Sequence, residues 1–182
     1  MSNTYDALND QLVDFIRAQK MFFVATAPLS AEGSVTLSPK GYESFVVIDP
    51  STVAYLDLGG SGIETHAHVR ENGRITFMFC AFEGAANIVR IYGRAEAFSF
   101  ADPEYQALRP LFSLPQPARG IIRCRITRVT DACGWGVPFY AFKGERDQLT
   151  RYIDHTSPDA WFESRLERNA TTLDGLPGLV RE

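Results

Sequence analysis

Cysteine is scarce in this chain, and Cys80, Cys124 and Cys133 are odd in number with no C-x-x-C spacing among them. A disulfide framework and a zinc ribbon are excluded on that count, leaving three free thiols in or near the core. An excess of basic charge is also missing. Eighteen Lys and Arg stand against 22 Asp and Glu, for a net charge of −4, so no basic field awaits nucleic acid or an anionic membrane. No apolar run approaches the roughly 18 residues that cross a bilayer. Residues 1–20 lack the basic start and apolar stretch of a signal peptide, and the expected location is cytoplasmic. G-x-S-x-G, Walker and G-x-G-x-x-G patterns are absent, which leaves hydrolase, NTPase and Rossmann readings without support. Of three histidines, His66 and His68 sit two apart in an expected helix and point to different faces, with His155 in another helix; no metal site is expected.

What the chain does have is an ordinary globular balance, 45% apolar and 22% charged residues, with no repeat and no low-complexity linker. One domain over residues 1–182 is expected. Leu8, Leu12, Phe15, Ile16 and Gln19 fall at helical spacing and predict a helix over 5–19. Short strands are expected at 21–27, 35–37, 45–48 and 53–56, separated by turn residues such as Asp49-Pro50-Ser51. Longer strands follow at 75–82, 88–98 and 121–129, and Gly93 in the second permits a bend or close packing. Helices are expected at 103–112, 146–152 and 158–168, the last opened by Ser157-Pro158. Six or seven strands in a meander, with short helices between them, make a mainly β, mostly antiparallel small barrel with an N-terminal helix and a C-terminal helical extension.

Two segments carry the chemistry. Val35-Thr36-Leu37-Ser38-Pro39-Lys40-Gly41 is a strand ending in a cation, and Gly59-Gly60-Ser61-Gly62-Ile63-Glu64-Thr65 is a glycine-rich turn entering a helix that Gly73 ends. The first offers a backbone rail, the second free N–H groups at a helix start, and together they suggest a flavin site. Other readings stand beside this one. Lys40 could simply end a strand at a solvated turn, and Ser61 with Glu64 could be a plain capping box. Trp135, between glycines, could cover a ligand face or plug a loop.

From Phe22 to Phe98 the chain resembles the pyridoxamine 5'-phosphate oxidase-like family of FMN-binding split β-barrels. The resemblance rests on Phe23-Val24-Ala25-Thr26-Ala27, the run ending Ser38-Pro39-Lys40-Gly41, the turn and helix from Ser61, and Val89-Arg90-Ile91-Tyr92-Gly93-Arg94-Ala95. The tail, through Cys133-Gly134-Trp135-Gly136-Val137-Pro138 and Asn169 with Leu173-Asp174-Gly175-Leu176-Pro177, resembles one subgroup of it. The resemblance implies a homodimer with FMN at the subunit interface, acting as an oxidoreductase on a small organic substrate. It places Thr36, Leu37, Ser38, Pro39 and Lys40 along the isoalloxazine ring. The Ser61 and Thr65 hydroxyls with the helix start at Gly62 could still take the phosphate, and Trp135 could cover the flavin face or shape a substrate pocket. The resemblance leaves open a non-catalytic flavin or haem storage protein and a deazaflavin-dependent reductase. The chain departs from the family at two points. Where the family has an arginine-lysine pair after its serine, this chain has Ser61-Gly62-Ile63-Glu64-Thr65, leaving Arg90, Arg94 or a second subunit's arginine to compensate. The Arg-x-His substrate motif of true pyridoxamine-phosphate oxidases and the glutamine at the place of Ile88 are both absent, which excludes vitamin B6 oxidation.

Overall fold

The computed structural model describes residues 2–181. In chain order its elements are β1 (Thr4–Tyr5), α1 (Asp10–Ala18), β2 (Phe22–Thr26), β3 (Thr36–Lys40), β4 (Phe45–Asp49), β5 (Thr52–Asp57), α2 (Glu64–Asn72), β6 (Arg74–Cys80), β7 (Ile88–Ser99), α3 (Pro103–Leu108), a 3-10 turn (Arg109–Leu111), β8 (Gly120–Ala132), α4 (Gln148–Asp154) and α5 (Pro158–Arg168). The strands form one antiparallel sheet in the order β3-β2-β6-β7-β8-β5-β4, with β1 added beside the far end of β8. The sheet curls until its two edges approach. Phe22 of β2 stacks edge-on against Phe45 of β4 with ring centroids 5.0 Å apart, yet β3 and β4 share no ladder. The barrel is split, and aromatic side chains fill the gap.

Alternation along the strands places Val24, Val53, Tyr55, Phe77, Phe79, Val89, Ile91 and Ile122 inside the curl, where Leu12 and Ile16 of α1 join them. A second cluster, around Leu56, Tyr105, Phe112 and Ile121, lies under α3. Gly93 sits where the β7–β8 register shifts; a Cβ there would stand 2.2 Å from Cys124 Sγ and 2.4 Å from the Arg125 carbonyl. The close packing expected at that glycine is present.

Several expected boundaries move, some for a local reason and some through a distant partner. The first helix begins at Asp10 rather than residue 5, because the Asn9 side chain accepts from Leu12 N–H at 2.9 Å and caps it there. Thr4 and Tyr5 instead pair with β8, where the Asp131 carboxylate accepts from Asn3 N–H (2.8 Å) and Tyr5 O–H (3.1 Å). The helix expected at 103–112 breaks after Leu108, where Pro110 has no N–H to continue it. β8 runs longer than 121–129, because β7 offers it a partner from Ser99↔Gly120 to Ile88↔Ala132.

The C-terminal extension folds back on the barrel. Ser157 Oγ caps α5 by accepting from Ala160 N–H at 3.3 Å, and Trp161 is fully buried. The tail turns at Asp174-Gly175, where Gly175 takes φ +79°. Asp174 accepts from Ser34 N–H at 2.6 Å, while Leu179 N–H returns to the Asn169 carbonyl at 2.7 Å.

Candidate functional site

A cavity of about 500 Å³ opens between β3, the turn after β5, and the chain that follows α5. Thr36, Ser38 and Lys40 lie on the one face of β3 that borders it, opposite Ser61, Gly62 and Thr65. Six of the nine residues expected at a ligand site therefore meet in one place. Leu37 and Pro39 fall on the other face: Leu37 is exposed, and Pro39 borders a separate cavity of about 940 Å³ with Phe23, Phe82 and Phe142. Trp135 is 86% exposed and borders neither cavity. β3 is an edge strand, which tolerates Pro39 and leaves one row of backbone groups without a sheet partner.

The capping box expected from Ser61 and Glu64 does not form. Ile63 stands at the N-cap with no side-chain cap, and Glu64 is the first helical residue. Its carboxylate accepts from Leu173 N–H at 3.3 Å instead. The cause lies in the turn, whose carbonyls are engaged elsewhere. Gly62 C=O accepts from Arg119 Nη1 at 2.5 Å, Gly60 C=O from Arg165 Nη1 at 3.2 Å, and Asn169 Nδ2 lies 3.4 Å from Gly60 C=O and 3.5 Å from Ser61 C=O. The carbonyls an earlier helix start would use, Ser61 and Gly62, face these side chains instead. Among the described residues, the backbone N–H groups from Gly60 to His66 have no acceptor.

The missing cationic pair is not made good by Arg90 or Arg94, neither of which borders the cavity. Arg94 Nη1 donates to the Asn72 carbonyl at 2.8 Å. Lys40, Arg119 and Arg168 supply the positive charge instead. Behind them is a buried hub that sequence reasoning missed. Asp57, 2% exposed, accepts from Arg119 Nε at 3.0 Å, pairs with Arg119 Nη2 at 3.0 Å, and lies 3.9 Å from Lys40 Nζ. Burial alone would raise its carboxyl, but Arg119 first, then Lys40 and His66, hold it well below the usual carboxylate range. Burial holds the His66 imidazole down at about 3. The Asp57 carboxylate, 3.6 Å from Nε2, pulls the other way, while Arg119, Arg70 and Lys40 reinforce burial. His66 is therefore neutral, with neither ring nitrogen hydrogen-bonded among the described residues. His68 turns elsewhere, its Nδ1 3.0 Å from Thr26 Oγ1, so the two histidines do diverge. The available signal was Asp57 itself, a carboxylate directly after the apolar run Val53-Ala54-Tyr55-Leu56.

The class defined by this geometry is a split β-barrel with a polar cavity, bordered by Lys40, Arg119 and Arg168, beside an edge strand. The family model for pyridoxamine 5'-phosphate oxidase matches residues 8–133. The chain belongs to that family, outside its true pyridoxamine-phosphate oxidases, whose Arg-x-His motif it lacks. It is 35% identical over 192 aligned positions to the pyridoxamine 5'-phosphate oxidase family protein ustO of Aspergillus flavus, covering 96% of this chain and 77% of that one. Among solved structures it is similar in fold to a variant of HupZ from Group A Streptococcus, with TM-score 0.53 and 22% identity, over 68% of this chain and 98% of that chain. It is likewise similar to a Lactobacillus delbrueckii protein provisionally described as a pyridoxamine 5'-phosphate oxidase, with TM-score 0.52 and 19% identity, over 69% and 94%.

Proposed function

We propose that this protein is a cytoplasmic FMN-binding oxidoreductase that works as a homodimer on a small organic substrate. The observation that carries the reading is the cavity in which Lys40 and the β3 edge face a turn of unpaired amides. The residues fit a planar, phosphorylated cofactor. Ser61 and Thr65 hydroxyls and the amides of the turn would take the phosphate, with Arg168 at the rim. Thr36, Ser38 and Lys40 would lie along the ring, and Lys40 would place a cation where the reduced ring gathers negative charge. Bound FMN would supply hydride or electron transfer, and the protein's part is to bind it, orient it and exclude water. Val35, Leu37 and Leu173 are exposed apolar residues along β3 and the tail, and Trp135, Phe139 and Tyr140 form another such group after β8. They support a second subunit closing over the site, which is where Trp135 would meet the cofactor.

A binding or storage role is the second reading, favoured by one observation: two ionisable groups bordering the cavity are already engaged, Lys40 with Asp57 and Glu64 with Leu173 N–H. The test is the visible absorption spectrum of the purified protein before and after addition of FMN and removal of free ligand. Retained two-band flavin absorption, lost in Lys40→Ala, supports the site. No retention overturns FMN, and deazaflavin and haem are then tried the same way. Bleaching of bound FMN by reduced nicotinamide, and its recovery with an acceptor, separates an oxidoreductase from a store.

A further inference from the structure

We infer that Asn169 and Arg165, two residues of the C-terminal extension, are positioning residues that aim the Gly60–Ile63 turn at the phosphate of the cofactor, in place of the cationic pair this chain lacks. The inference rests on the FMN reading above. It starts from the planarity of the peptide unit. In a trans peptide the C=O of one residue and the N–H of the next point in opposite directions. Gly60 C=O is drawn toward Arg165 and Asn169, Ser61 C=O toward Asn169, and Gly62 C=O toward Arg119. The N–H groups of Ser61, Gly62 and Ile63 must then face away from those side chains, and Ser61 and Gly62 border the cavity. Their amides have no acceptor among the described residues, so the turn presents a concave set of donors that continues into the first amides of α2.

The side chains behind the turn are themselves fixed. Asn169 is fully buried; its Oδ1 accepts from Arg119 Nη1 at 3.0 Å, and that guanidinium is anchored on Asp57. Arg165 is buried with its guanidinium carbon 5.6 Å from the Trp161 ring centroid. The tail returns across Asn169, as Leu179 N–H donates to its carbonyl, and a Cβ on Gly178 would stand 2.1 Å from that oxygen. Asn169 acquires a role in this way. Preorganised amides need no charge of their own to select an anion, provided their orientation is held. Glu64, turned over Gly62, is the one carboxylate on the cavity's rim among the described residues and limits the net positive charge there.

The experiment compares affinity for FMN with affinity for riboflavin, which lacks the phosphate, by flavin fluorescence titration of the full chain. Wild type should bind FMN at least about tenfold more tightly than riboflavin. Asn169→Leu removes the donors to the turn without adding charge beside the phosphate, and it should reduce that ratio at least about fivefold while riboflavin affinity stays within about twofold. Arg165→Lys, which keeps the charge but whose amine does not reproduce the guanidinium's reach to Gly60 C=O, should move the ratio in the same direction and serves if Asn169→Leu does not fold. A purely structural role would lower both affinities together or leave both unchanged, and either result overturns the inference. If wild type binds FMN yet does not prefer it over riboflavin, the phosphate role of the turn is refuted while the flavin reading stands. If wild type binds neither flavin, the FMN reading falls and this inference with it.

Discussion

Acidification should destabilise this fold through His66 before any carboxylate of the hub titrates. The ring is fully buried between Asp57 and Gly120, and burial holds its pKa at about 3 against an ordinary value of 6.5. The folded state therefore refuses a proton that the unfolded chain accepts. For a group whose folded pKa is depressed, the stabilisation is present above the unfolded value and is lost as pH falls from about 6.5 toward 3. Going from pH 7 to pH 4.5 crosses roughly two units of that gap at ~1.4 kcal/mol each, so unfolding free energy should drop by about 2.5 kcal/mol. Burial lowers the pKa of His68 as well, with Glu64, Glu71 and Asp174 opposing, so it contributes with the same sign. A variant isolates the larger effect. Urea unfolding followed by far-UV circular dichroism at both pH values, for wild type and His66→Gln, should show wild type losing more stability than the variant by about that amount. Equal losses in the two proteins, or a wild-type loss below about 1 kcal/mol, would refute the assignment of a neutral, poorly solvated ring.

Asp57→Leu leaves the Arg119 guanidinium buried without its carboxylate and should cost about 3–5 kcal/mol in urea unfolding, part of which the double change Asp57→Leu/Arg119→Leu recovers. Gly120→Ala puts a Cβ 2.4 Å from the His66 ring and 2.5 Å from the Phe98 carbonyl; overpacking of this kind costs about 1–3 kcal/mol, read as a lowered thermal midpoint. Below about pH 4 a further loss should appear as Asp57 is protonated, because its depressed pKa makes that contribution present above the unfolded value and lost as pH falls; it should be missing in Asp57→Leu. Glu64→Gln removes the carboxylate from the cavity rim and should tighten FMN binding about two- to fivefold, measured by fluorescence titration; weaker binding would mean that Glu64 holds the tail through Leu173 more than it repels the ligand.

The fold was legible wherever a local pattern coincided with a long-range partner. Alternation through Val89-Arg90-Ile91-Tyr92 announced β7, and Gly73 announced the end of α2 at φ +70°. Boundaries moved where a local cap or break set them, as at Asn9 and Pro110, and where a distant contact overrode the local signal. Ser61 and Glu64 read as a capping box, but Arg119 and Asn169, more than 50 residues onward, hold the carbonyls that such a start would use. The site was half legible for the same reason. Thr36, Ser38 and Lys40 belong to one strand, so period-two alternation puts them on one face, whereas Leu37 and Pro39 must lie on the other. The rail was read as five contiguous residues, and the pleat divides it.

The sequence by itself determined what depends on neighbours along the chain: a mainly antiparallel β protein, the strand that ends at Lys40, the glycine-rich entry to α2, and a family membership carried by those runs in order. Only the tertiary structure decided what depends on contacts between distant segments. The curl of the sheet brings the end of β3 to the end of β5, so that Lys40 meets Asp57, and the return of the C-terminal tail brings Asn169 behind the Gly60–Ile63 turn. A carboxylate after an apolar strand or an asparagine after a helix carries no mark of such a role in its own neighbourhood. Burial and a charged partner from elsewhere in the chain turn these residues into the frame of the cavity.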